Sequence, residues 1–410
     1  MADLPTKKVC LYNDNEEGID RISDLPDPVL CHVLSFLPTK MSVATSVLSK
    51  RWINLWTTVP ALSFSFTEFS DRFVDSVYKV LAMFQAQTIH QFSLDFEHIS
   101  GVDDEHIDTW ISAAIKRNVQ ELILKLNLCA PYGPPFKLHD YVFAYKTLVC
   151  LRLFDDVFVD VPANACLPSL KILQLERDDN ILDLDINVPS LKRISVKSPS
   201  STADTCKLLI NAPLLERIGF FDEMICDFEV EDLPNLVEAI FFVDGTQKLI
   251  KKASKVKFLS LSEDAYVSLF YDVKLPVFCN LVCLEITTSC EYWCGLTTLL
   301  KYSDNLKTLV FHIKVPSYHI GCTCDESLSE IVPKFMSLSL KTLRLTGFCN
   351  LKCNWELVRY VLKNAWFLKQ MKVGTSLEKC HMKNLLKYPR ASMSCEISFF
   401  NDLSGQEFQL

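Results

Sequence analysis

The chain has 410 residues, of which 49% are hydrophobic and 22% are charged, and its formal net charge is −8. This composition supports a large buried core and excludes a largely disordered polypeptide. No apolar run is long enough to cross a bilayer, and no hydrophobic secretion core opens the sequence. The seventeen cysteines lie mostly within apolar stretches, which is typical of reduced, buried thiols. We therefore expect an intracellular protein that does not act at a membrane, in either the nucleus or the cytoplasm.

Residues 1–19 are polar and acidic, and they predict a flexible tail. Residues 20–60 predict three short amphipathic helices. Leu25-Pro26 opens the first, because a proline in the first helical turn loses no helical hydrogen bond. The apolar stripe of the first helix consists of Leu30, Val33, Leu34 and Leu37. The second helix carries Val43, Ala44, Val47 and Leu48, and the third begins near Lys50 and carries Trp52, Leu55 and Trp56.

A unit of about 40 residues is too small to bury so much apolar surface by itself. The surplus must meet either the rest of this chain, as a helical cap would, or a partner. Leu25-Pro26, the run VLSFLP at 33–38 and the run VLSKRW at 47–52 occur in the order and spacing of a known motif. The segment resembles the F-box. The resemblance implies docking to a Skp-type adaptor and, through it, to a cullin. The residues that it implies for the adaptor contact are Leu25, Pro26, Leu30, Val33, Leu34, Leu37, Val47, Leu48 and Trp52.

From residue 85 onward, the pattern apolar-x-x-apolar-x-apolar recurs at intervals of 20 to 34 residues. Its first residues are Ile89, Val119, Leu148, Leu170, Leu191, Leu215, Leu236, Val256, Leu281, Leu306, Leu340 and Leu368. Several units follow a turn signal such as Leu-Pro-Ser or Val-Pro-Ser. One short strand cannot bury its own face, so the units are predicted to stack into a solenoid.

The array at 85–345 resembles the irregular leucine-rich repeats that follow F-boxes in plant proteins. The resemblance implies a curved parallel sheet. The asparagine of the strict repeat is mostly missing, so we expect other groups to satisfy the backbone at the repeat boundaries. The alternative is an ordinary α/β sheet with helical crossovers, which the lack of a helical pattern at 176–190 disfavours.

The segment 346–410 predicts a closing α+β unit. A helix stripe is formed by Leu357, Val358, Val361 and Leu362. A strand at 367–373, a second helix at about 377–387 and a strand at 394–400 follow. This segment resembles the FBD domain found at the C-terminus of many plant F-box proteins, and its minimal role is to cap the last repeat. The predicted fold class is therefore α/β, with a three-helix F-box, an irregular leucine-rich-repeat solenoid and an α+β cap.

The residues that alternate with the inward apolar positions of each strand are expected on the open face of the array. Phe221, Ile240, Phe242 and Phe258 come from three successive repeats, and arginines lie near them. An exposed aromatic patch rimmed by arginines has the composition of an interaction hot spot. The predicted substrate-binding residues are Arg152, Phe154, Arg217, Phe221, Ile240, Phe242 and Phe258. The alternative is that a register slip or a covering loop removes this patch.

Residues 341–390 carry eleven lysines and arginines against two glutamates. This excess indicates either a basic patch for an acidic partner or anionic ligand, or a solvated helix face. Nucleic-acid binding is disfavoured, because the whole chain is acidic and no known reader motif accompanies the segment.

Candidate metal ligands have unsuitable spacing in His319 with Cys322 and Cys324, in Cys290 with Cys294, and in Cys349 with Cys353. The sequence shows neither a glycine-rich phosphate loop nor a nucleophile or zinc-protease motif. No metal, cofactor or catalytic residue is predicted.

Together these features predict the substrate-recognition subunit of a Skp–cullin–F-box ubiquitin ligase. The chain itself would be no enzyme: it would hold an unknown protein substrate close to a conjugating enzyme bound elsewhere. One alternative is a hormone-type co-receptor, in which the array and its substrate enclose a small molecule. Another is a scaffold that uses the F-box for assembly without degradation.

Overall fold

The computed structural model describes most of the predicted elements. The residues described are 22, 24–66, 72–97, 102–127, 136–155, 157–159, 162, 167–176, 184–197, 206–221, 226–243, 245–269, 275–289, 299–314, 332–375 and 379–402. The predicted tail at 1–19 lies outside these ranges, as do the cysteine and histidine groups at 290–294 and 319–324.

The N-terminal segment forms two short α-helices and two 3-10 turns. Helix α1 spans Asp27–Leu34 and α2 spans Thr39–Ala44. Pro26 is the N-cap of α1 and Pro38 that of α2, so each proline lies where a missing N–H costs little. The 3-10 helices are Thr45–Val47 and Leu55–Thr58.

The third predicted helix starts later than Lys50 and is a 3-10 helix. Residues 50–54 form turns, and the helix Leu55–Thr58 follows them with Leu55 and Trp56 buried. The sequence 57–60, TTVP, explains this ending, since three β-branched residues and a proline disfavour a continuing α-helix.

The twelve predicted units, with one strand before them and one after, form one parallel sheet that has fourteen strands within the described residues. Its strands are β1 (Ala61–Phe66), β2 (Gln91–Glu97), β3 (Glu121–Asn127), β5 (Cys150–Asp155), β7 (Ile172–Glu176), β9 (Arg193–Lys197) and β11 (Arg217–Phe221). They continue as β13 (Glu238–Phe241), β14 (Phe258–Leu261), β15 (Cys283–Thr288), β16 (Thr308–Ile313), β17 (Thr342–Phe348), β18 (Gln370–Thr375) and β19 (Glu396–Phe400). Each predicted unit supplies one strand, and each strand pairs with that of the next unit, so the predicted solenoid is confirmed.

The return segments form a second layer of helices and small strands. The helices are α3 (Phe73–Met83), α4 (Asp104–Ile115), the 3-10 helix Asp140–Ala144, α5 (Gln247–Lys252), α6 (Glu263–Ser268), α7 (Lys334–Leu338), α8 (Lys352–Asn364) and α9 (Lys379–Leu386). The small strands are β4 (Phe136–Lys137), β6 (Val157–Phe158), β8 (Leu184–Asn187), β10 (Cys206–Asn211) and β12 (Cys226–Val230). Because β8, β10 and β12 pair into their own parallel sheet, the middle of the array has strand returns rather than helical crossovers.

The apolar core lies between these two layers and runs along the whole array. All three apolar positions of every predicted unit are buried, as in Leu306, Leu309 and Phe311. One continuous cluster extends from Leu62 to Phe399. The F-box segment has a separate small cluster that consists of Leu30, Leu34, Trp52, Leu55 and Val59.

Polar side chains at the turn before a strand connect neighbouring repeats. Each donates a hydrogen bond to a backbone carbonyl in the preceding repeat, as Asn305 does to Cys279 at 2.6 Å. The residues that do this are Thr147, Ser190, Asn235, Asn280, Asn305 and Ser339. These bonds satisfy backbone carbonyls at the strand starts.

Candidate functional site

The F-box segment leaves a set of apolar side chains open to solvent. Val47 is 87% exposed and Phe36 is 75% exposed. Their exposed apolar neighbours in this segment are Ile22, Val29, Val33, Leu37, Met41, Leu48 and Ile53. Scattered exposed apolar residues are common, but such a concentration in one short segment is typical of a protein-interaction surface.

The structure divides the nine residues predicted for the adaptor contact into two groups. Leu30, Leu34 and Trp52 are buried in the small F-box cluster. A partner could touch these three only if the helices separated. The others are exposed or half-buried, and they are Leu25, Pro26, Val33, Leu37, Val47 and Leu48.

Sequence reasoning missed Phe36 and Met41, which are exposed on the same segment. Phe36 lies within the 33–38 run that carried the resemblance, so its signal was present in the sequence. Met41 lies outside the quoted runs, so the sequence contained no signal for it. Its exposure becomes visible only once α2 is placed in the structure.

Arg51 fixes the start of α1. Its Nε donates to Asp27 Oδ1 at 2.8 Å, and its terminal nitrogen donates to the carbonyl of Leu25. The Ser42 hydroxyl donates to the carbonyl of Leu34 at 3.0 Å and so satisfies the end of the same helix. The Arg51 bonds hold the Leu25-Pro26 corner against the segment at 47–52, which places the two outer quoted runs side by side.

A second candidate site is a groove on the open face of the sheet. It crosses β5, β7, β9, β11 and β13 and has a volume of about 260 Å³. The residues between the two inward positions of these strands form its central row, which is Arg152, Gln174, Ser195, Gly219 and Ile240. Side chains of the neighbouring rows, Arg193, Arg217, Phe221 and Glu238, complete the lining with parts of β7, β9 and β11.

The groove brings together Arg152, Arg217, Phe221 and Ile240 of the predicted substrate-binding residues. Phe242 lies beside it, and its ring stacks on that of Phe221 with centroids 6.0 Å apart and planes at 24°.

Phe154 and Phe258 are partly exposed but lie outside the lining. Phe258 is in register with Glu238 rather than with Ile240, so it belongs to a different row. Of the predicted apolar residues, Phe221 and Ile240 therefore line the groove and Phe242 lies beside it, while Phe258 is one strand further along and one row away.

The charges around the groove are mostly positive. Arg217 Nε is 3.0 Å from Glu238 Oε2, and Lys197 Nζ is 2.6 Å from Glu176 Oε1 at the edge. Among the residues that the structure describes, the buried Nε of Arg152 has no hydrogen-bond partner. Burial raises the pKa of the neighbouring Cys150 thiol, although the Arg152 charge opposes that rise.

In the basic segment at 341–390, some positively charged side chains contact other parts of the fold and others face solvent. Arg344 lies over the Phe400 ring at 4.9 Å, and Arg359 lies over the Tyr388 ring at 4.7 Å. Arg390 donates to two backbone carbonyls, at 2.8 and 2.9 Å. The exposed lysines of the described part are Lys341, Lys352, Lys363, Lys369, Lys383 and Lys387. The arginines thus have roles within the fold, while the lysines mostly face solvent.

Cys349 and Cys353, whose spacing does not suit a zinc site, both lie beside Asn354. Asn354 Nδ2 donates to Cys349 Sγ at 3.2 Å, and Cys353 is buried beside it. Within the described ranges, no three His, Cys, Asp or Glu side chains are grouped so that they could hold a metal ion. No helix in those ranges is long and apolar enough to cross a membrane.

Comparison with known proteins agrees with this arrangement. The F-box domain family model matches residues 22–63, and the FBD model matches residues 329–373, whereas the sequence pattern set the latter segment at 346–410. An F-box/FBD/LRR-repeat protein of Arabidopsis thaliana is 32% identical to this chain, over 93% of the chain and 100% of the relative. An FBD-associated F-box protein of the same plant is 31% identical, over 87% of the chain and 100% of the relative. With its F-box helices, its repeat sheet and its FBD match, the chain belongs to the F-box/FBD/LRR-repeat proteins.

Proposed function

We propose that this protein is the substrate-recognition subunit of a Skp–cullin–F-box ubiquitin ligase. The observation that carries the proposal is the set of apolar side chains of the F-box that stay exposed beside a closed small core. An F-box segment with its surplus apolar surface unburied needs a partner, and a Skp-type adaptor is the partner that the F-box family implies.

In this proposal the adaptor contacts the exposed part of the predicted set. Leu25, Pro26, Val33, Leu37, Val47 and Leu48 form the contact surface. Leu30, Leu34 and Trp52 act from beneath it, since they fix the helices that present the other side chains. This assignment narrows the nine sequence-predicted residues to those that a rigid partner can reach.

The repeats would hold a protein substrate on the open face of the sheet. The residues proposed for this contact are Arg152, Phe154, Arg217, Phe221, Ile240, Phe242 and Phe258. The chain needs no bond-making residue for this role, because a conjugating enzyme held through the adaptor and cullin would supply the chemistry. Its contribution would be effective concentration and orientation.

Co-purification of the full chain with a Skp-type adaptor tests the docking assignment. The variant Val47→Asp/Leu48→Asp places two charges among the exposed apolar side chains of the F-box, and we expect the adaptor to be lost. Val277→Asp/Leu338→Asp is the matched control, since these residues are 63% and 66% exposed on the repeats. Equal adaptor recovery by the two double variants would refute the assignment.

A second experiment distinguishes degradation from scaffolding. Proximity labelling with the intact chain would identify proteins held by the repeats, and their half-lives would then be measured with and without Val47→Asp/Leu48→Asp. We expect longer half-lives for the labelled proteins in the variant. Unchanged half-lives alongside lost adaptor binding would favour the scaffold instead.

A further inference from the structure

We propose that the groove across β5 to β13 is an oxyanion subsite. It would take a phosphate or carboxylate group carried by an aromatic or aliphatic side chain of the bound protein. The inference rests on the proposed role of the repeats as the substrate face and specifies the chemistry of that face.

The first argument is the charge of the lining. Three arginines, Arg152, Arg193 and Arg217, line the groove, and the one carboxylate among the lining residues is Glu238. Glu238 already pairs with Arg217 at 3.0 Å. The lining thus keeps two positive charges in excess, and guanidinium groups match the planar geometry of oxyanions well.

The second argument is the cost of this arrangement in the empty groove. Arg193 and Arg217 are register partners on neighbouring strands, about 4.8 Å apart along the sheet. Like charges opposite each other destabilise a sheet. An anion bound between Arg193 and Arg217 would offset the repulsion between them. The Nε of Arg152, two strands away from Arg193, is buried and has no acceptor among the described residues.

The third argument is shape. Ser195 and Gly219 stand at the middle of the central row, where large side chains would fill the groove. A Cβ at Gly219 would lie 2.9 Å from Cε2 of Phe221, so the Phe221 ring leans over the glycine. With Ile240 it forms an apolar wall next to the arginines. The groove therefore suits a group that carries both a negative charge and an apolar stem.

Ligand-observed NMR with the full chain tests the proposal, and three probes are used. Phenyl phosphate and phenylacetate carry the two candidate oxyanions, and benzyl alcohol is the neutral control. We expect saturable binding of at least one anion and at least tenfold weaker binding of benzyl alcohol, a ratio of about the size expected for one charge-assisted contact. The stronger anion identifies a phosphorylated or a carboxylate-bearing side chain as the source.

Variants locate the site. Arg193→Gln/Arg217→Gln should weaken anion binding at least about tenfold, and Ser195→Leu should block the groove without changing its charge. Arg344→Gln is the matched control, because Arg344 occupies the same central row on β17, far from the groove. Near-UV circular dichroism verifies that each variant is folded.

Anion binding that is equal in all these variants, or no stronger than that of benzyl alcohol, would overturn the subsite. This failure is distinct from failure of the proposed function. The probe measurement needs no adaptor, whereas the adaptor experiment with Val47→Asp/Leu48→Asp does not depend on the groove.

Discussion

The Oγ1 of Thr39, at the start of α2, accepts a hydrogen bond of 2.8 Å from the backbone N–H of Ser63, in the middle of β1. β1 is the first strand of the sheet, and among the described residues its strand partner is β2. Its outer edge would otherwise expose unpaired backbone groups. The bond satisfies one of those groups and attaches the F-box to the repeats at a defined position.

Replacing Thr39 with valine should weaken this junction. Thr39→Val keeps the shape but removes the acceptor, so the Ser63 N–H loses its partner at a cost of about 1–3 kcal/mol. Hydrogen exchange of the Ser63 amide should become faster. The control is Thr45→Val, because the Thr45 hydroxyl donates to the Ser42 carbonyl within its own segment. Equal Ser63 exchange rates in the two variants would contradict the role of Thr39.

The F-box should unfold separately from the sheet when its small core is damaged. Leu34 is 1% exposed, so Leu34→Ala should cost about 2–5 kcal/mol. Because the two apolar clusters are separate, exchange should rise in α1 and α2 while β2 and β3 remain protected. Val47→Ala, at an exposed position, should change stability by less than about 0.5 kcal/mol. Loss of protection in β3 with Leu34→Ala would show that the clusters are coupled.

The polar side chains between repeats should stabilise the array as donors. Asn305→Asp removes the amide that donates to the Cys279 carbonyl at 2.6 Å and should lower the free energy of unfolding by about 1–3 kcal/mol. Asn350→Asp is the matched control, since Asn350 Oδ1 only accepts a bond, from Trp355 Nε1 at 2.9 Å. Chemical denaturation measures both. A loss of equal size in the two variants would attribute the effect to added charge.

Thr246→Val should be neutral or stabilising. Thr246 is fully buried at the start of α5, and its hydroxyl has no partner among the described residues. Valine has the same shape without the unsatisfied group, so the free energy of unfolding should rise by up to about 1 kcal/mol. Thr288→Val is the comparison, because the buried Thr288 hydroxyl donates to the Ser289 carbonyl at 3.2 Å and its loss should destabilise. Destabilisation of equal size by both would reveal a partner for Thr246.

Thiol labelling should depend on pH differently at two neighbouring cysteines. Burial, with a smaller contribution from Glu285, raises the pKa of Cys283 to about 11. The raised pKa makes its reactive thiolate scarce at pH 8, and labelling should speed up about tenfold per pH unit until the pH approaches that pKa. The exposed Cys279 is the internal control and should be labelled faster at pH 8. Peptide mapping by mass spectrometry separates the two sites, and a higher rate at Cys283 would contradict its burial.

The inward residues of the strands were predictable because their pattern is local. Leu306, Leu309 and Phe311 show it, since three apolar residues within one unit must face the core together. Val59, Leu62 and Phe64 carry the same pattern, yet β1 was not predicted. Val59 packs in the F-box cluster while Leu62 packs in the repeat core, so this unit belongs to two cores at once.

The outer strands were harder to predict. Leu184 and Ile186 are buried and alternate with the exposed Asp185 and Asn187, which is a strand signal of period two. A strand so short is stable only beside others, and its partner β10 lies about one repeat further along the chain. The pairing of β8 with β10 cannot be predicted from the sequence of one return segment alone.

The candidate sites also depend on contacts between distant segments, which the local sequence does not show. Leu30 and Val33 belong to one helical stripe, but Leu30 is buried against Trp52 while Val33 faces solvent, because the stripe is wider than the packed side. The placement of Arg152 on the open face follows from alternation within its strand. The depth of the groove depends instead on the small Ser195 and Gly219, which belong to other repeats.

Because the sheet is continuous from β1 to β19, the number of strands between two positions fixes the distance between them along the sheet. Adjacent strands lie about 4.8 Å apart, and the groove centre at β9 is the fifth neighbour of β1. The F-box junction and the groove are thus separated by about 24 Å along the sheet. This distance can change only by whole repeats. The gain or loss of one repeat would therefore move a substrate held in the groove by about 4.8 Å relative to the F-box.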